Sequence, residues 1–371
     1  MDADRLRESF ARVAQHGDNV ALFFYSDLFL RYPQTRDLFP VSMTAQRDRL
    51  LRALGKIVAE ADRVDELAAF LRDLGRDHRK FGAIADHFGP VGESLLATLA
   101  HFSGADWTPE LAADWKAAYE LVAKVMIDSA REDSRHSPPF WHATVISHER
   151  RSFDIAVFRV AVQEPFPYRP GQSVAIESPL RPRIWRCYSM ANAPREDGTA
   201  DFHVQLVDGG TLSMPLVRGI TVGSRLRLGP PTGVFALPDA PRRDVLLIAG
   251  GTGLAPVKAI TQQLAQLSDP PQVHLFFGAR DANALYDLAE LEKLGATAPW
   301  LTITGCVSDD PAYPGERGVL PDVVARGGPW GGRDAYLAGP TPMIKAMSAR
   351  LRSLGVPQDQ IHLEDFGWSE S

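Results

Sequence analysis

The chain has 371 residues, 45% of them hydrophobic and 23% charged, which is ordinary for a globular protein but long enough that we expect two or three domains. The net charge of −6 without a basic run argues against a nucleic-acid partner, and no apolar run approaches the ~20 residues that a membrane helix needs. The charged start MDADRLRESF lacks the core of a signal peptide, and two distant cysteines, Cys187 and Cys306, exclude a disulfide framework or a cysteine-based metal site. We therefore predict a cytoplasmic protein that contacts neither membrane nor nucleic acid.

The first part of the chain, residues 1–133, is predicted to be all-α. Apolar residues recur there at helical spacing, with almost no strand alternation. Pro33 is expected to end one helix, and Thr108 followed by Pro109 is a helix start, with a capping hydroxyl and a proline in the first turn. One apolar stripe closes on His78, and a lone histidine in such a place is more often structural than a ligand.

The polar segment REDSRHSPPF separates this part from two further domains, predicted over 138–239 and 242–371. Six short β-rich runs divided by Pro and Gly predict an antiparallel β-barrel over the first of these ranges. In the second, apolar strands alternate with helices, which is the pattern of a parallel sheet. The predicted fold is therefore an all-α domain, an antiparallel barrel and an α/β domain.

The motif RCYS, residues 186–189, lies on a strand of the predicted barrel and suits a flat cofactor that carries phosphate. Arg186 offers a planar guanidinium for a pyrophosphate, Tyr188 can pack on a ring system, and Ser189 can donate to a ring carbonyl. On four residues alone, a surface arginine and a half-buried tyrosine would be the simpler interpretation. DGGTLS, residues 208–213, adds a second anion-directed feature, because its glycines let the backbone approach a ligand at the start of a short helix.

Two glycine-rich turns in the α/β domain suit a dinucleotide. AGGTGLAP, residues 249–256, follows an apolar strand and precedes a helix, whose N-terminus can face a pyrophosphate. YLAGPTPM, residues 336–343, repeats this layout later in the same sheet. There is neither a Rossmann GxGxxG nor a P-loop lysine, so an ordinary glycine-rich turn stays open as the alternative. Both turns are predicted at the carboxyl ends of parallel strands, where open α/β sheets bind ligands.

Taken in order, the motifs of residues 140–371 resemble those of the ferredoxin–NADP reductase-type flavoproteins. The order is RxYS, GGTLS, GGTGLAP, GAR with a following LY, AGPTPM and a terminal EDFGW. The resemblance implies FAD on the barrel, a nicotinamide nucleotide on the α/β domain and hydride transfer between them. The FAD contacts that it implies are Tyr168, Arg186, Tyr188, Ser189, Gly210, Thr211, Ser213, Phe366 and Gly367. The nucleotide contacts that it implies are Gly251, Thr252, Gly253, Leu254, Ala255, Pro256, Arg280, Gly339 and Pro340.

A helical domain ahead of such a reductase resembles the front of a flavohaemoglobin, and globin motifs stand at matching spacings. FYSDLF places Tyr25, and AQRDRLLRAL places Gln46 and Leu50, on the ligand side of a haem. RDLFP places Phe39 at the phenylalanine that packs on the haem. The same alignment places His78 at the proximal iron ligand, so the resemblance favours ligation over a structural histidine.

The chain departs from the flavohaemoglobin pattern at four positions. Phe88 stands where the family usually has a tyrosine, ten residues after the proximal histidine, and Ala130 where it has a glutamate. Asp77 replaces a frequent lysine before the histidine, and Ala338 replaces a cysteine at the start of the AGPTPM motif. The chain is therefore expected to belong to a divergent branch.

The resemblance implies haem b, FAD and NADH or NADPH as cofactors, with electrons passing from the nucleotide through FAD to the haem. The implied activity is that of a nitric oxide dioxygenase, which turns nitric oxide and dioxygen into nitrate. Its partners would be these small molecules, with no obligate protein partner. The segment FFGARDANALYDL lacks a second basic cluster for a 2′-phosphate, which favours NADH. A haem–flavin oxidoreductase with another electron donor is the alternative enzyme. An oxygen- or redox-sensing haem protein is the alternative from another class, although a sensor has no obvious need for a reductase.

Overall fold

A computed structural model describes residues 2–366 of the chain, which divide into two compact units, 2–140 and 141–366. In this part of the chain, no helix is both long and apolar enough to cross a membrane.

The first unit is all-α, as predicted. Its helices are α1 (Ala3–Ala14), α2 (Asp18–Arg31), α3 (Thr44–Ala59), α4 (Val64–His78), α5 (Phe88–Ser103) and α6 (Pro109–Asp133). α6 begins where the sequence indicated, because the Oγ1 of Thr108 accepts a hydrogen bond from the backbone N–H of Leu111 at 3.2 Å. α2 ends just before Pro33, which begins a short 3-10 turn instead of continuing the helix.

The core of the first unit has two parts. The larger contains Phe24 and Leu28 of α2 together with Trp115 of α6, and the smaller joins Leu71 of α4 to Met126 of α6. Few side chains of α3 and α4 are fully buried. Apolar side chains of these two helices that stay half-buried include Leu50, Leu51, Leu54, Ile57 and Leu74. The unit therefore keeps an incompletely covered lining of apolar side chains on α3 and α4.

The second unit begins with an antiparallel sheet in the order β4-β3-β6-β1-β2-β5. Its strands are β1 (Trp141–Arg150), β2 (Ile155–Val162), β3 (Ser173–Glu177), β4 (Trp185–Ser189), β5 (Thr199–Gln205) and β6 (Arg225–Thr232). The two edges of the sheet are joined by a bridge between Met190 and Phe202, beside a hydrogen bond from the N–H of Ala191 to the carbonyl of Asp201 at 2.8 Å. The sheet thus curls on itself in the manner of the predicted barrel, around a core that includes Phe158 and Phe202.

The rest of the second unit is a parallel sheet in the order β10-β9-β8-β7-β11-β12. The strands are β7 (Val245–Gly250), β8 (Val273–Ala279), β9 (Leu301–Val307), β10 (Glu316–Arg317), β11 (Asp334–Gly339) and β12 (Ile361–Asp365), and the helices are α7 (Leu254–Leu264), α8 (Leu288–Thr297), α9 (Leu320–Arg326) and α10 (Thr341–Ser353). The five longer strands are those predicted, and the two-residue β10 was not.

The order of strands reverses between β7 and β11, which lie side by side. β7 is buried throughout. Val245 and Leu247 enter the core on one face of the sheet, and Leu246 and Ile248 enter the core on the other. A strand covered on both faces has to be apolar without alternation, as DVLLIAG is. The carboxyl ends of β7 and β11 form the switch point at which open α/β sheets place a ligand.

Candidate functional site

Three predicted residues of the first unit, Tyr25, Phe39 and Leu50, belong to one apolar cluster, and Gln46 lies beside it. Tyr25 is buried, and its ring packs edge-on against Phe39 with the ring centroids 5.4 Å apart. Gln46 and Leu50 follow on α3 as half-buried residues. The hydroxyl of Tyr25 donates a hydrogen bond to the backbone carbonyl of Gln46 at 3.4 Å, rather than meeting the side-chain amide. This bond is long and therefore weak, so the hydroxyl hydrogen can turn toward another acceptor.

Burial keeps Tyr25 protonated. It raises the pKa of the Tyr25 phenol to about 12, although the hydrogen bond with Gln46 and the charge of Arg49 act in the opposite direction. At neutral pH the residue is therefore a neutral hydrogen-bond donor inside an apolar cluster.

An arginine that the sequence analysis did not single out holds the chain around Phe39. The guanidinium of Arg36 donates to the backbone carbonyls of Phe39 at 3.1 Å, Pro40 at 3.0 Å and Val41 at 3.2 Å. These three bonds fix the turn that carries the Phe39 ring. In the sequence, the only local indication of these bonds is that an arginine stands three residues before Phe39.

His78 is the last residue of α4, and its ring is held by the helix that carries it. Its Nδ1 lies 2.8 Å from the carbonyl oxygen of Leu74, one turn earlier, so we assign the proton to Nδ1 as the donor. This tautomer leaves Nε2 with the lone pair that a metal would take. Burial lowers the pKa of His78, which keeps the imidazole neutral, as a metal ligand must be.

Phe88 and Ala130, two of the predicted departures from the flavohaemoglobin pattern, lie on α5 and α6. Phe88 begins α5, and its backbone carbonyl accepts a hydrogen bond from the hydroxyl of Tyr119 on α6. Neither Phe88 nor Ala130 carries a side-chain group that can hydrogen-bond to an imidazole. The backbone carbonyl of Leu74 is the hydrogen-bond partner that the structure gives to His78.

Arg79 directly follows His78 and ties the end of α4 to the end of α6. Its side chain is only 9% exposed, it forms an ion pair with Asp133, and it donates to the carbonyl of Ser137 at 2.7 Å. The neighbouring Asp77 pairs with Lys80. These contacts fix the backbone that carries His78. Sequence reasoning missed those of Arg79 because its partners Asp133 and Ser137 are more than 50 residues away.

The residues of this unit fit a haem. A neutral histidine with its Nδ1 bonded to a carbonyl, half-buried apolar side chains along α3 and α4, and a buried tyrosine are the features that an apolar iron-bearing ring requires. The incompletely covered lining would be buried by such a ring. Here the bound haem would supply the redox-active iron.

On β4 of the barrel, the residues predicted to bind the flavin differ in how far they are exposed. Tyr188 is half-buried against the barrel core, and Ser189 is buried while Cys187, on the same face by strand alternation, is exposed. The difference arises because Ser189 ends the strand where the sheet edges are bridged. Arg186 donates to the backbone carbonyl of Trp185 at 2.9 Å.

The Oγ of Ser189 tests whether a flavin fits. It is buried and has no hydrogen-bond partner among residues 2–366. A buried hydroxyl without a partner is costly, and a ring carbonyl or ring nitrogen would satisfy it. The neighbouring Tyr188 and Arg186 supply the aromatic surface and the cation that FAD needs, so the residues fit this cofactor.

Two other segments predicted to bind the flavin are held by hydrogen bonds within the barrel. The hydroxyl of the buried Tyr168 donates to the carbonyl of Asn192 at 3.0 Å. In the turn that follows β5, the Oγ of Ser213 accepts from the N–H of Val207 at 3.1 Å, and a Cβ on Gly210 would lie 2.4 Å from that Oγ. Thr211 is exposed. The short helix expected after this turn is present, but over Pro215–Gly219 it is a π-helix.

The two glycine-rich turns of the α/β domain touch each other at the switch point. A Cβ on Gly253 would lie 2.1 Å from the carbonyl oxygen of Ala338, and a Cβ on Gly339 would lie 3.1 Å from that of Gly250. Ala338 itself is fully buried. The N–H of Phe366 donates to the carbonyl of Gly339 at 2.9 Å, so the terminal EDF motif reaches the same place.

Most of the other residues predicted to bind the nucleotide belong to the first of these turns or to the start of α7. Gly251, Thr252 and Gly253 form a 3-10 turn, and Leu254, Ala255 and Pro256 are buried in the first turn of α7. Arg280 and Pro340 are exposed. Gly367, which was predicted to contact FAD, lies outside the described residues. The close backbone approach at the carboxyl end of two adjacent parallel strands is a geometry that accepts a dinucleotide.

Comparisons with known proteins follow the same three-part division. The Globin family matches residues 22–126, the Oxidoreductase FAD-binding domain family matches 142–237, and the Oxidoreductase NAD-binding domain family matches 247–349. A flavohemoprotein of Rhodopirellula baltica is 26% identical over 396 aligned positions, which cover 98% of this chain and 97% of that protein. The chain belongs to the flavohaemoglobin family.

The reductase part of this flavohaemoglobin also has more similar relatives. The ferredoxin–NAD(P)+ reductase component of a Ralstonia naphthalene dioxygenase/salicylate hydroxylase system is 32% identical over 225 residues, covering 60% of this chain and 68% of that protein. A flavohemoglobin structure from Malassezia yamatoensis, with FAD and haem bound, shares the fold with a TM-score of 0.76, 18% identity and 98% coverage of both chains. The chain is thus an oxidoreductase of the NAD(P)H–FAD–haem type, with haem, FAD and a nicotinamide nucleotide as its cofactors.

Proposed function

We propose that the protein is a nitric oxide dioxygenase. The balanced reaction is two nitric oxide, two dioxygen and one NAD(P)H giving two nitrate, one NAD(P)+ and one proton. The observation that carries the proposal is Tyr25, a buried and protonated phenol in the apolar cluster of a globin unit that has its own reductase on the same chain. The proposal includes the predicted small-molecule partners and a cytoplasmic location. It also includes the predicted domains over residues 1–133, 138–239 and 242–371.

The protein's own residues would divide the work in the following way. FAD, when bound, converts hydride donation into single-electron donation, and haem supplies the iron at which the two gases react. His78 would hold that iron through Nε2, and Phe39 would pack against the ring. The Tyr25 hydroxyl, with Gln46 beside it, would hydrogen-bond the bound gas, and Leu50 would exclude water. In the reductase, the residues of the RCYS and GGTLS motifs would hold FAD, and the two glycine-rich turns would hold the nucleotide.

The test compares two tyrosines of the same region. Tyr25→Phe removes the buried hydroxyl, and Tyr32→Phe removes an exposed one that bonds to Glu93. A hydrogen bond to a charged group contributes about 1.5–3 kcal/mol, so we expect Tyr25→Phe to slow NADH-driven consumption of nitric oxide on the order of 10- to 100-fold. Tyr32→Phe should match the wild type.

The product identifies the reaction. Nitrate should form in step with nitric oxide consumed, at two per NADH oxidised. Nitrous oxide as the product, or consumption that is the same in Tyr25→Phe and Tyr32→Phe, would contradict the proposal. NADH is the proposed donor, and an NADPH turnover that exceeds NADH turnover would contradict that part alone.

A further inference from the structure

The flavin barrel and the nucleotide domain, which form one compact unit, are joined by a buried charge cluster. At its centre is Asp287, the residue before α8, whose side chain is 2% exposed. One carboxylate oxygen accepts from the Nε of Arg151, in the turn after β1, at 2.8 Å. The other accepts from the Nζ of Lys258, on α7, at 3.0 Å. One acid therefore holds a cation of the barrel and a cation of the nucleotide domain together.

A second pair completes the cluster. His203 on β5 is 1% exposed, and its Nδ1 lies 2.8 Å from the hydroxyl of Tyr286. Its Nε2 lies 3.9 Å from Asp287, which is too long for a hydrogen bond but places the ring edge toward the carboxylate. Because burial holds this imidazole neutral, the arrangement that suits it has Tyr286 donating to Nδ1 and the Nε2–H pointing at Asp287.

The cluster lies next to the nucleotide-binding turn. Lys258 is one turn along α7 from Leu254, where that helix starts. Gln205 follows His203 by two positions on β5, and its amide nitrogen donates to Asp154 at 2.8 Å. A Cβ added to Gly251 would lie 3.8 Å from the amide oxygen of Gln205. The cluster therefore reaches the turn that would hold the nucleotide from two sides, through Lys258 on α7 and through the β5 segment that carries His203 and Gln205.

We propose that Asp287 is a positioning residue for flavin reduction: through Arg151 and Lys258 it fixes the nucleotide turn against the flavin barrel at the distance that hydride transfer requires. The inference rests on the NAD(P)H–FAD reductase and is independent of the proposed nitric oxide chemistry.

A charge cluster suits this purpose better than apolar packing would. A buried ion pair contributes little net stability, yet its directional bonds select one arrangement of the groups that it joins. Hydride transfer is sensitive to such an arrangement, because a misplacement of about 1 Å can cost on the order of 100-fold in rate. Loss of the central acid leaves both cations without their shared partner, so the two domains lose the register that the cluster sets.

The experiment uses the full chain with FAD and haem bound, mixed anaerobically with NADH in a stopped-flow spectrometer. Asp287→Asn keeps the shape of the side chain and removes its charge. Glu290→Gln is the matched control, because Glu290 also pairs with Lys258 at 2.8 Å but is 61% exposed. For Asp287→Asn we expect the limiting rate of flavin reduction to fall at least tenfold while the dissociation constant of NADH changes less than twofold. Glu290→Gln should match the wild type in both.

A second variant and a second measurement cover the case in which Asp287→Asn fails to fold. Tyr286→Phe removes only the hydroxyl that meets His203 and should lower the limiting rate by a smaller factor in the same direction. Hydrogen–deuterium exchange of the FAD-loaded protein should rise in α7 and β5 in either variant. Unchanged limiting rates in the folded variants, or a loss confined to NADH affinity, would overturn the proposal. Either outcome would leave the nitric oxide proposal standing.

Discussion

The buried His203 should make the second unit sensitive to mild acid. Burial, followed by the charge of Lys258, lowers the pKa of His203 from 6.5 to about 3. The folded pKa lies below the unfolded one, so protons bind the unfolded chain preferentially, and the stability present above about pH 6.5 is lost as the pH falls toward 3. Between pH 7 and pH 5, linkage gives a loss of about 2 kcal/mol from this one group. In a unit of this size that corresponds to about 4–8 °C in the unfolding midpoint.

The assay follows the release of FAD fluorescence during thermal unfolding, since FAD reports on the unit that contains His203. His203→Asn removes the titrating ring, so the drop in its midpoint between pH 7 and pH 5 should be smaller than in the wild type by the stated amount, whatever its stability at pH 7. His136→Asn removes an exposed histidine of the first unit and should leave the wild-type pH profile intact. Parallel pH profiles for the wild type and His203→Asn would refute the account of a buried neutral imidazole.

Three further predictions concern the cofactor sites. His78→Ala should abolish stoichiometric haem uptake while FAD is retained, and haem bound as in the wild type would refute ligation. Gly253→Ala should weaken NADH binding at least tenfold in a titration, because its Cβ would lie 2.1 Å from a carbonyl oxygen, whereas Gly331→Ala enters open space and should bind normally. Phe88→Tyr combined with Ala130→Glu restores the tyrosine and glutamate that the family usually has near His78. This double variant should raise the iron–histidine stretching frequency in resonance Raman spectra of the ferrous protein, because hydrogen bonds to the histidine increase its basicity. An unchanged frequency would contradict our placement of these two positions.

Local patterns were enough to predict the longer strands and several helix ends of this fold. The cap at Thr108, the stop at Pro33 and the unbroken apolar run of β7 each depend on residues within a few positions of one another. Such signals concern backbone hydrogen bonding and the face that is buried, which the sequence carries directly. The barrel and the parallel sheet followed from them, together with the switch point where the glycine-rich turns meet.

The contacts that complete the sites could not be predicted in this way. Asp287 meets Arg151 across 136 positions, and His203 meets Tyr286 across 83. Which side chains meet at such separations depends on how whole elements dock, and no periodicity encodes it. The same holds for Tyr25, whose hydroxyl meets the backbone carbonyl of Gln46 across 21 positions.

Electron transfer from NADH through FAD to haem within one chain can be followed by mixing the protein anaerobically with NADH in a stopped-flow spectrometer. Flavin and haem absorbance are followed together over a range of protein concentrations. Flavin should be reduced first, and haem reduction should follow with a rate constant independent of protein concentration, because the transfer occurs within the molecule. A haem that stays ferric beside reduced flavin, or a haem reduction rate that rises in proportion to protein concentration, would contradict it.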